Sequence, residues 1–288
     1  MNDFNMNVCL SRLGAVAFAK IASTAPVILL PLGSHEDHGP HLPMGDFRLA
    51  ELLAIRIARD ATRQGVPSFV APTLPFGVAD YFGCSAGGLA LSAASFRAVL
   101  EDLLKNLLDH GLTRIVLLNG HGGNVPVIHQ VTSGIRCSGG PVIPSFYLWK
   151  AARQIMEQEG VAPRCFGHGA EPLLSITSAL APEAVVAHEA KRPASADCLA
   201  LPVSGFGTVE FEGITVEVPT QFDQVPLDPI AVAWPQASAS LGERVCDKLV
   251  ATAGRFVVHF ANAASSSGVS KSRSTVSLST NTSETNSI

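Results

Sequence analysis

Charge is scarce in this chain. Of its 288 residues only 15% are Asp, Glu, Lys or Arg, well under the roughly 25% usual for globular proteins, while 47% are hydrophobic. Much of the chain must therefore be buried in its own core or against other subunits, and a homo-oligomer is expected. Basic blocks are missing too. Lys and Arg number 20 against 24 Asp and Glu, a formal net charge of −4. That balance offers no electrostatic footprint for nucleic acid and nothing for an anionic membrane surface. Long apolar runs are absent. The longest strongly apolar stretch, Val27 to Leu32, falls far short of the about 20 residues that cross a bilayer. Asp3 precedes any base and Lys20 interrupts the apolar stretch Leu13 to Ile21, a poor fit to a signal peptide, so a cytoplasmic location is expected. The six cysteines (Cys9, Cys84, Cys137, Cys165, Cys198, Cys246) contain no C-x-x-C pair, which argues against a disulfide framework and a thiolate zinc site. Neither G-x-G-x-x-G nor the P-loop pattern occurs.

What is present is an alternation of strand and helix patterns. Val27 to Leu32, Phe69 to Leu74, Arg114 to Leu118 and Pro141 to Trp149 read as strands. Between and after them, Phe47 to Gln64, Ser95 to His110, Pro126 to Arg136, Ala151 to Glu159, Ala170 to Leu180 and Ala231 to Phe260 read as helices. This order predicts an α/β fold with a mainly parallel sheet covered on both faces. The length allows one or two domains. Ser265 to Ile288 carries 14 Ser or Thr in 24 residues and almost no large apolar side chain. Such a segment cannot offset its ordering entropy, so residues 1–264 are expected to form one domain and 265–288 a disordered tail.

Three clusters carry chemistry. Gly33 to Asp46 holds three His and three carboxylates in a loop after a strand, and open α/β sheets gather ligands at strand carboxyl ends. Glu36 and His38, two apart, project to one side of an extended segment and Asp37 to the other. Asp46 stands at the end of that loop and the start of a helix, where it either presents its two oxygens to two ions or simply caps the helix. The second cluster is Asn119-Gly-His-Gly-Gly-Asn124, with His121 between glycines that permit close backbone approach; a phosphate cradle and a plain tight turn are its rival readings. The third is Gly167-His-Gly-Ala-Glu171, where His168 and Glu171, three apart, share a helix face. Imidazole and carboxylate without thiolate suit zinc, manganese or iron(II). Five ligands with one bridging carboxylate suit two ions about 3.5 Å apart, which hold a hydroxide nucleophile and polarise a carbonyl.

The run Pro31 to Asp46, the Asn119 to Asn124 block and His168-Gly-Ala-Glu171 with Ser175 resemble the three signature blocks of the creatininase (creatinine amidohydrolase) family, in order and spacing, over about Leu13 to Pro182. The resemblance implies a three-layer α/β/α sandwich, assembly as a hexamer and two divalent ions (Zn, Mn or Fe) per chain. It implies that Glu36 and His121 hold one ion, His38 and Glu171 the other, with Asp46 bridging. His168 matches the histidine that gives the leaving amine its proton while a metal-bridging hydroxide attacks the carbonyl.

The chain also departs from creatininase itself. Gly123 stands where creatininase has a metal-binding glutamate, so the chain resembles the deformylase and peptidase branches more closely. Leu173 replaces a carboxylate usual two residues before Ser175. Residues 77–92 differ as well, with Tyr81, Phe82 and Gly87-Gly88. The reading is an amidohydrolase that cleaves a C–N bond in a small amide, cyclic amide or formamide. Its alternatives are a peptidase acting on a short precursor peptide and a catalytically silent metal-binding scaffold. Tyr147 and Trp149 either wall the pocket or pack in the core.

Overall fold

Strand, loop and helix alternate through the first half of the chain in a computed structural model that describes residues 7–79, 85–186, 197–224 and 228–266. Cys84, Tyr81, Phe82 and residues 267–288 lie outside those residues; of the segment expected as a disordered tail from Ser265, Ser265 and Ser266 are helical instead. In chain order the elements begin with α1 (Ala15–Ala22), β1 (Val27–Leu32), α2 (Phe47–Arg63), β2 (Ser68–Val70), α3 (Ala93–Asp109) and β3 (Ile115–Asn119). There follow α4 (Val125–Cys137), β4 (Ser145–Tyr147), α5 (Leu148–Gln158) and α6 (Leu173–Leu180). Four short strands come next, β5 (Asp197–Cys198), β6 (Leu201–Gly205), β7 (Thr208–Phe211) and β8 (Ile214–Glu217), then α7 (Asp228–Ala233) and α8 (Ala239–Ser266).

Every residue of β1 is buried, and alternation along the strand sends Val27 and Leu29 into one core and Ile28, Leu30 and Leu32 into another. β3 divides the same way, with Val116 and Leu118 on the first side and Ile115 and Leu117 on the second. A strand apolar on both faces is stable only in a sheet covered twice. The sheet has the order β2-β1-β3-β4 with every neighbour parallel. α2, α5, α6 and α8 cover one face through Leu53, Met156, Ile176 and Leu249. α3 and α4 cover the other through Phe96, Leu100, Leu104, Ile128 and Val131. The result is the predicted three-layer α/β/α arrangement.

Three local expectations are corrected. The helix read from Ala231 to Phe260 is two helices, because Pro235 cannot continue α7. Ser238 then restarts the chain, its hydroxyl accepting the Leu241 N–H at 3.1 Å. The helix read from Ala170 begins at Leu173, because a residue preceding proline avoids helical backbone and Pro172 follows Glu171. The strand read through Trp149 stops at Tyr147, and Leu148, Trp149, Ala152 and Met156 are the buried face of α5. The antiparallel sheet β5-β6-β7-β8 has no counterpart in the sequence reading. Among the described residues no helix is long and apolar enough to cross a membrane.

Candidate metal centre

The loop after β1 folds back on itself. The Gly45 N–H donates to the Glu36 carbonyl and the Ser34 N–H to Asp46 Oδ1, each at 2.8 Å. Of the two readings of Asp46, the capping one fails. Asp46 occupies the N-cap position of α2, yet its side chain caps nothing. Oδ1 ties the loop ends together, and Oδ2 lies 3.8 Å from His121 Nδ1 and 3.5 Å from the Trp149 indole nitrogen, which donates to it. Glu36 and His38 converge as their spacing predicts, Oε1 to Nε2 3.2 Å. Asp37 turns away and accepts the Gly39 N–H at 2.7 Å.

Buried amides hold the loop after β3. Asn124 Oδ1 accepts the Val78 N–H at 2.9 Å, and its Nδ2 donates to the Gly33 carbonyl and to Asn119 Oδ1. One side chain thus joins three loops, and burying it is tolerable because its hydrogen bonds are made. His121 Nε2–H donates to the Val78 carbonyl at 2.7 Å, which leaves Nδ1 facing Glu36 Oε2 at 3.0 Å. Carbonyl-fixed imidazoles of this kind are typical of metal ligands. At Gly123 a Cβ would stand 2.0 Å from the Val78 carbonyl oxygen, so this packing bars any side chain there, including a ligating glutamate.

His168 and Glu171 sit in the turn before α6. Gly169 takes φ +69°, and a Cβ on it would stand 2.2 Å from the His38 carbonyl oxygen, so the turn packs directly on the first loop. His168 stacks on His38 with ring centres 4.7 Å apart, and its Nε2–H donates to the Asp37 carbonyl. Glu171 points into its own helix: Oε1 accepts the Ser175 hydroxyl at 2.5 Å and Oε2 the Ser175 N–H at 3.1 Å. The Ser175 hydroxyl oxygen in turn accepts the Ser238 N–H at 3.1 Å, which locks the carboxylate to the start of α8.

Burial opposes charge on Glu36, but the imidazoles of His121 and His38 outweigh it and hold the carboxyl well below its ordinary range. Burial and then the Glu36 charge push Asp46 up to about 7. Against burial, Glu36 lifts His121 to about 9 and also raises His38. Burial and then His38 lower His168 to about 4. The Tyr147 phenol rises to about 12 through burial and the charges of Asp46 and Glu36. Burial likewise pushes the Cys246 thiol to about 12, far from a nucleophile.

These donors fit a divalent cation. Glu36 Oε2 is buried with His121 Nδ1 as its neighbour, and because Nε2–H is committed to the Val78 carbonyl, loss of the Nδ1 proton would leave that nitrogen a lone pair for a metal. At 3.0 Å the pair is held either by a proton on Nδ1, which the raised pKa of His121 favours, or by a cation that takes that proton's place. Donors about 2.0–2.2 Å from an ion lie about 3–3.5 Å from each other, which matches. Glu36, Asp46 and His121 form one group with ligand atoms within 4.8 Å of one another, and Glu36, His38 and His168 form a second. Glu171 lies outside both groups but lines the same cavity, of about 690 Å³. Tyr147 and Trp149 do both things expected of them as alternatives, since each lines that cavity and each packs in the main core.

The sequence reading overlooked the binding roles of Asn119, Asn124 and Ser175, although all three stand inside its quoted blocks. It also overlooked Phe206, whose ring meets His168 edge-on at 5.1 Å. No sequence signal marks that contact.

Comparison with known proteins bears on the family and the fold. Residues 12–257 match the model of the family described as creatininase, creatinine amidohydrolase. The mycofactocin precursor peptide peptidase of Mycobacterium ulcerans (strain Agy99) is 33% identical over 135 residues, 45% of this chain and 54% of that protein. The creatinine amidohydrolase of Pseudomonas putida is 30% identical over 112 residues, 37% of this chain and 41% of that protein. The matched part spans about half the length of these relatives or less. A crystal structure of creatinine amidohydrolase superposes with TM-score 0.66 at 23% identity, covering 89% of this chain and 99% of that one. A manganese creatininase superposes equally well, at 23% identity over 88% and 99%. A zinc–zinc form of a creatininase variant gives TM-score 0.63 at 22% identity over 89% and 99%. Family match and fold converge, and the chain belongs to the creatininase family.

Proposed function

We propose that this protein is a metal-dependent amidohydrolase that uses two divalent ions, zinc, manganese or iron, to cleave the C–N bond of an amide. The observation that carries the reading is Glu36, 3% exposed, set between His38 and His121 at 3.2 and 3.0 Å and common to both groups of candidate ligands. In this assignment Glu36 and His121 would hold one ion and His38 and Glu171 the other, with Asp46 as the carboxylate that would serve both. Glu36 is a second carboxylate within reach of both positions. The manganese and zinc–zinc creatininases support the choice of metals.

When bound, the ions supply Lewis acidity toward the amide carbonyl and an acidified water. The chain supplies the rest. His168, neutral and anchored through Nε2–H on the Asp37 carbonyl, takes up a proton at Nδ1 as water attacks and delivers it to the leaving amine nitrogen. Tyr147, kept protonated, donates a hydrogen bond to position the substrate. Trp149 holds Asp46 in place.

The substrate reading remains a small amide, cyclic amide or formamide. A second reading, hydrolysis of a short peptide, is favoured by a cavity of about 690 Å³, ample for a ligand larger than one small amide, and by the peptidase relatives. Residues 1–264 act as one domain in this proposal, in a cytoplasmic homohexamer. Exposed Phe211, Ile214 and Val216 support self-association, and gel filtration tests the hexamer. Metal analysis of purified protein tests the centre: about two ions per chain are expected, and a stoichiometry far below that overturns the mechanism. An amide-turnover assay on the metal-loaded protein separates the enzyme from a silent scaffold, because a scaffold could bind metal yet turn over no amide.

A further inference from the structure

We infer that Lys150 and Arg153 form an anion subsite on the cavity wall that selects substrates carrying a carboxylate. The inference rests on the hydrolase reading and goes beyond it to the substrate's charge. The carboxylates that line the cavity, Glu36, Asp46 and Glu171, are all buried at its inner end. Among the described residues that line it, the cations are Lys150 and Arg153, three apart on α5 and so on one helix face. The first turn of α5 lies against the metal centre, because Trp149, next to Lys150, donates to Asp46 Oδ2.

Both cations are placed for a ligand rather than for the fold. Lys150 makes no hydrogen bond or ion pair with any described residue and is exposed. It stands in the first turn of a helix that has no acidic residue there, against the helix dipole, and three residues from a like charge. Each of those placements costs stability, and a bound anion reverses the sign of each. Arg153 is held in position. Its guanidinium lies 4.8 Å over the Phe166 ring, and Nε donates to Glu157 at 2.8 Å. The terminal nitrogens make no hydrogen bond to described residues, and they form the edge that grips a carboxylate. Phe166 precedes His168 by two residues, which span at most about 7 Å. The guanidinium is thus anchored on the wall of the cavity that the proposed proton carrier also lines. A substrate amide on the metal centre would present a carboxylate a few bonds away to this wall. That carboxylate is either the free end of a peptide or the acid group of a small acylated amino acid.

The test uses metal-loaded full-length protein and matched substrates. N-formyl and N-acetyl amino acids and short peptides are each assayed as free acid and as carboxamide, and binding of N-acetyl dipeptide acid and amide is measured by calorimetry. The acid form is expected to be preferred at least tenfold in kcat/KM, about the worth of one charge-assisted hydrogen bond, with the difference in KM. The preference should fall toward unity in Lys150→Met and Arg153→Gln, and the amide should be preferred in Lys150→Glu. The peptide and acylated amino acid series separate the two carboxylate sources. Equal handling of acid and amide by the unmodified protein, or a preference that survives Lys150→Glu in a variant of unchanged Tm, overturns the subsite. If no substrate is cleaved, the hydrolase reading fails, and calorimetry still decides whether the acid binds more tightly through Lys150.

Discussion

In the parallel sheet β1 and β3 bury every residue and pass directly into loops of buried polar side chains, whereas β8 of the antiparallel sheet buries none of its four. The register explains the contrast. Val209 pairs with Val216 and Phe211 with Ile214, so all four lie on one face. Val209 is fully covered, while Phe211 and Ile214 are 52% and 68% exposed. An apolar face that starts over the body thus runs beyond it. The parallel sheet is held by packing on both sides, which is why it can support a cluster of charged groups whose burial is costly. Among the described residues, the turn between β6 and β7 brings Phe206 against His168 in that cluster.

This contrast can be broken at several points, with effects of decreasing size. Glu36→Gln should lower turnover by about 10³-fold or more and remove metal, because it touches both donor groups; metal retained at two ions per chain would show that the centre lies elsewhere. For His168→Ala we expect about 10²–10⁴-fold slower turnover with metal content unchanged, and turnover left intact would remove it from the mechanism. Leu117→Ala, in the covered sheet, should cost about 2–5 kcal/mol by chemical denaturation. Glu171→Gln should lower one ion's occupancy more than the other's, and Ser175→Ala should weaken the same ion about 10- to 100-fold; equal retention of both ions would sink the role of Glu171. Ile214→Thr, on the uncovered end of β8, should change monomer stability by no more than about 0.5 kcal/mol, so a larger loss would mean that this face is covered in solution.

The parallel half of the fold was legible because β1, α2, α3 and β3 bury continuous or regularly spaced apolar residues, a local signal that survives folding. The boundaries that moved did so where one residue outweighed the period, as at Pro172 and Pro235. The antiparallel sheet was invisible for a different reason: its strands have two to five residues, too short to establish a period, and its apolar face is only partly buried.

The chemistry divides in the same way. Glu36, His38, Asp46 and His121 stood out in the sequence because imidazoles and carboxylates crowd short segments at predicted strand ends, and His168 and Glu171 because they share a glycine-containing block at a predicted helix start; the fold brings all six to one cavity. Their states were decided only in three dimensions. The Val78 carbonyl, 43 residues away in the chain, sets which His121 nitrogen faces Glu36. Ser175 and Ser238 set where Glu171 points. The Ser34 amide takes Asp46 away from the helix it precedes. Sequence determines which donors are near each other along the chain; orientation and proton position depend on partners from distant segments, and these meet only when the core packs.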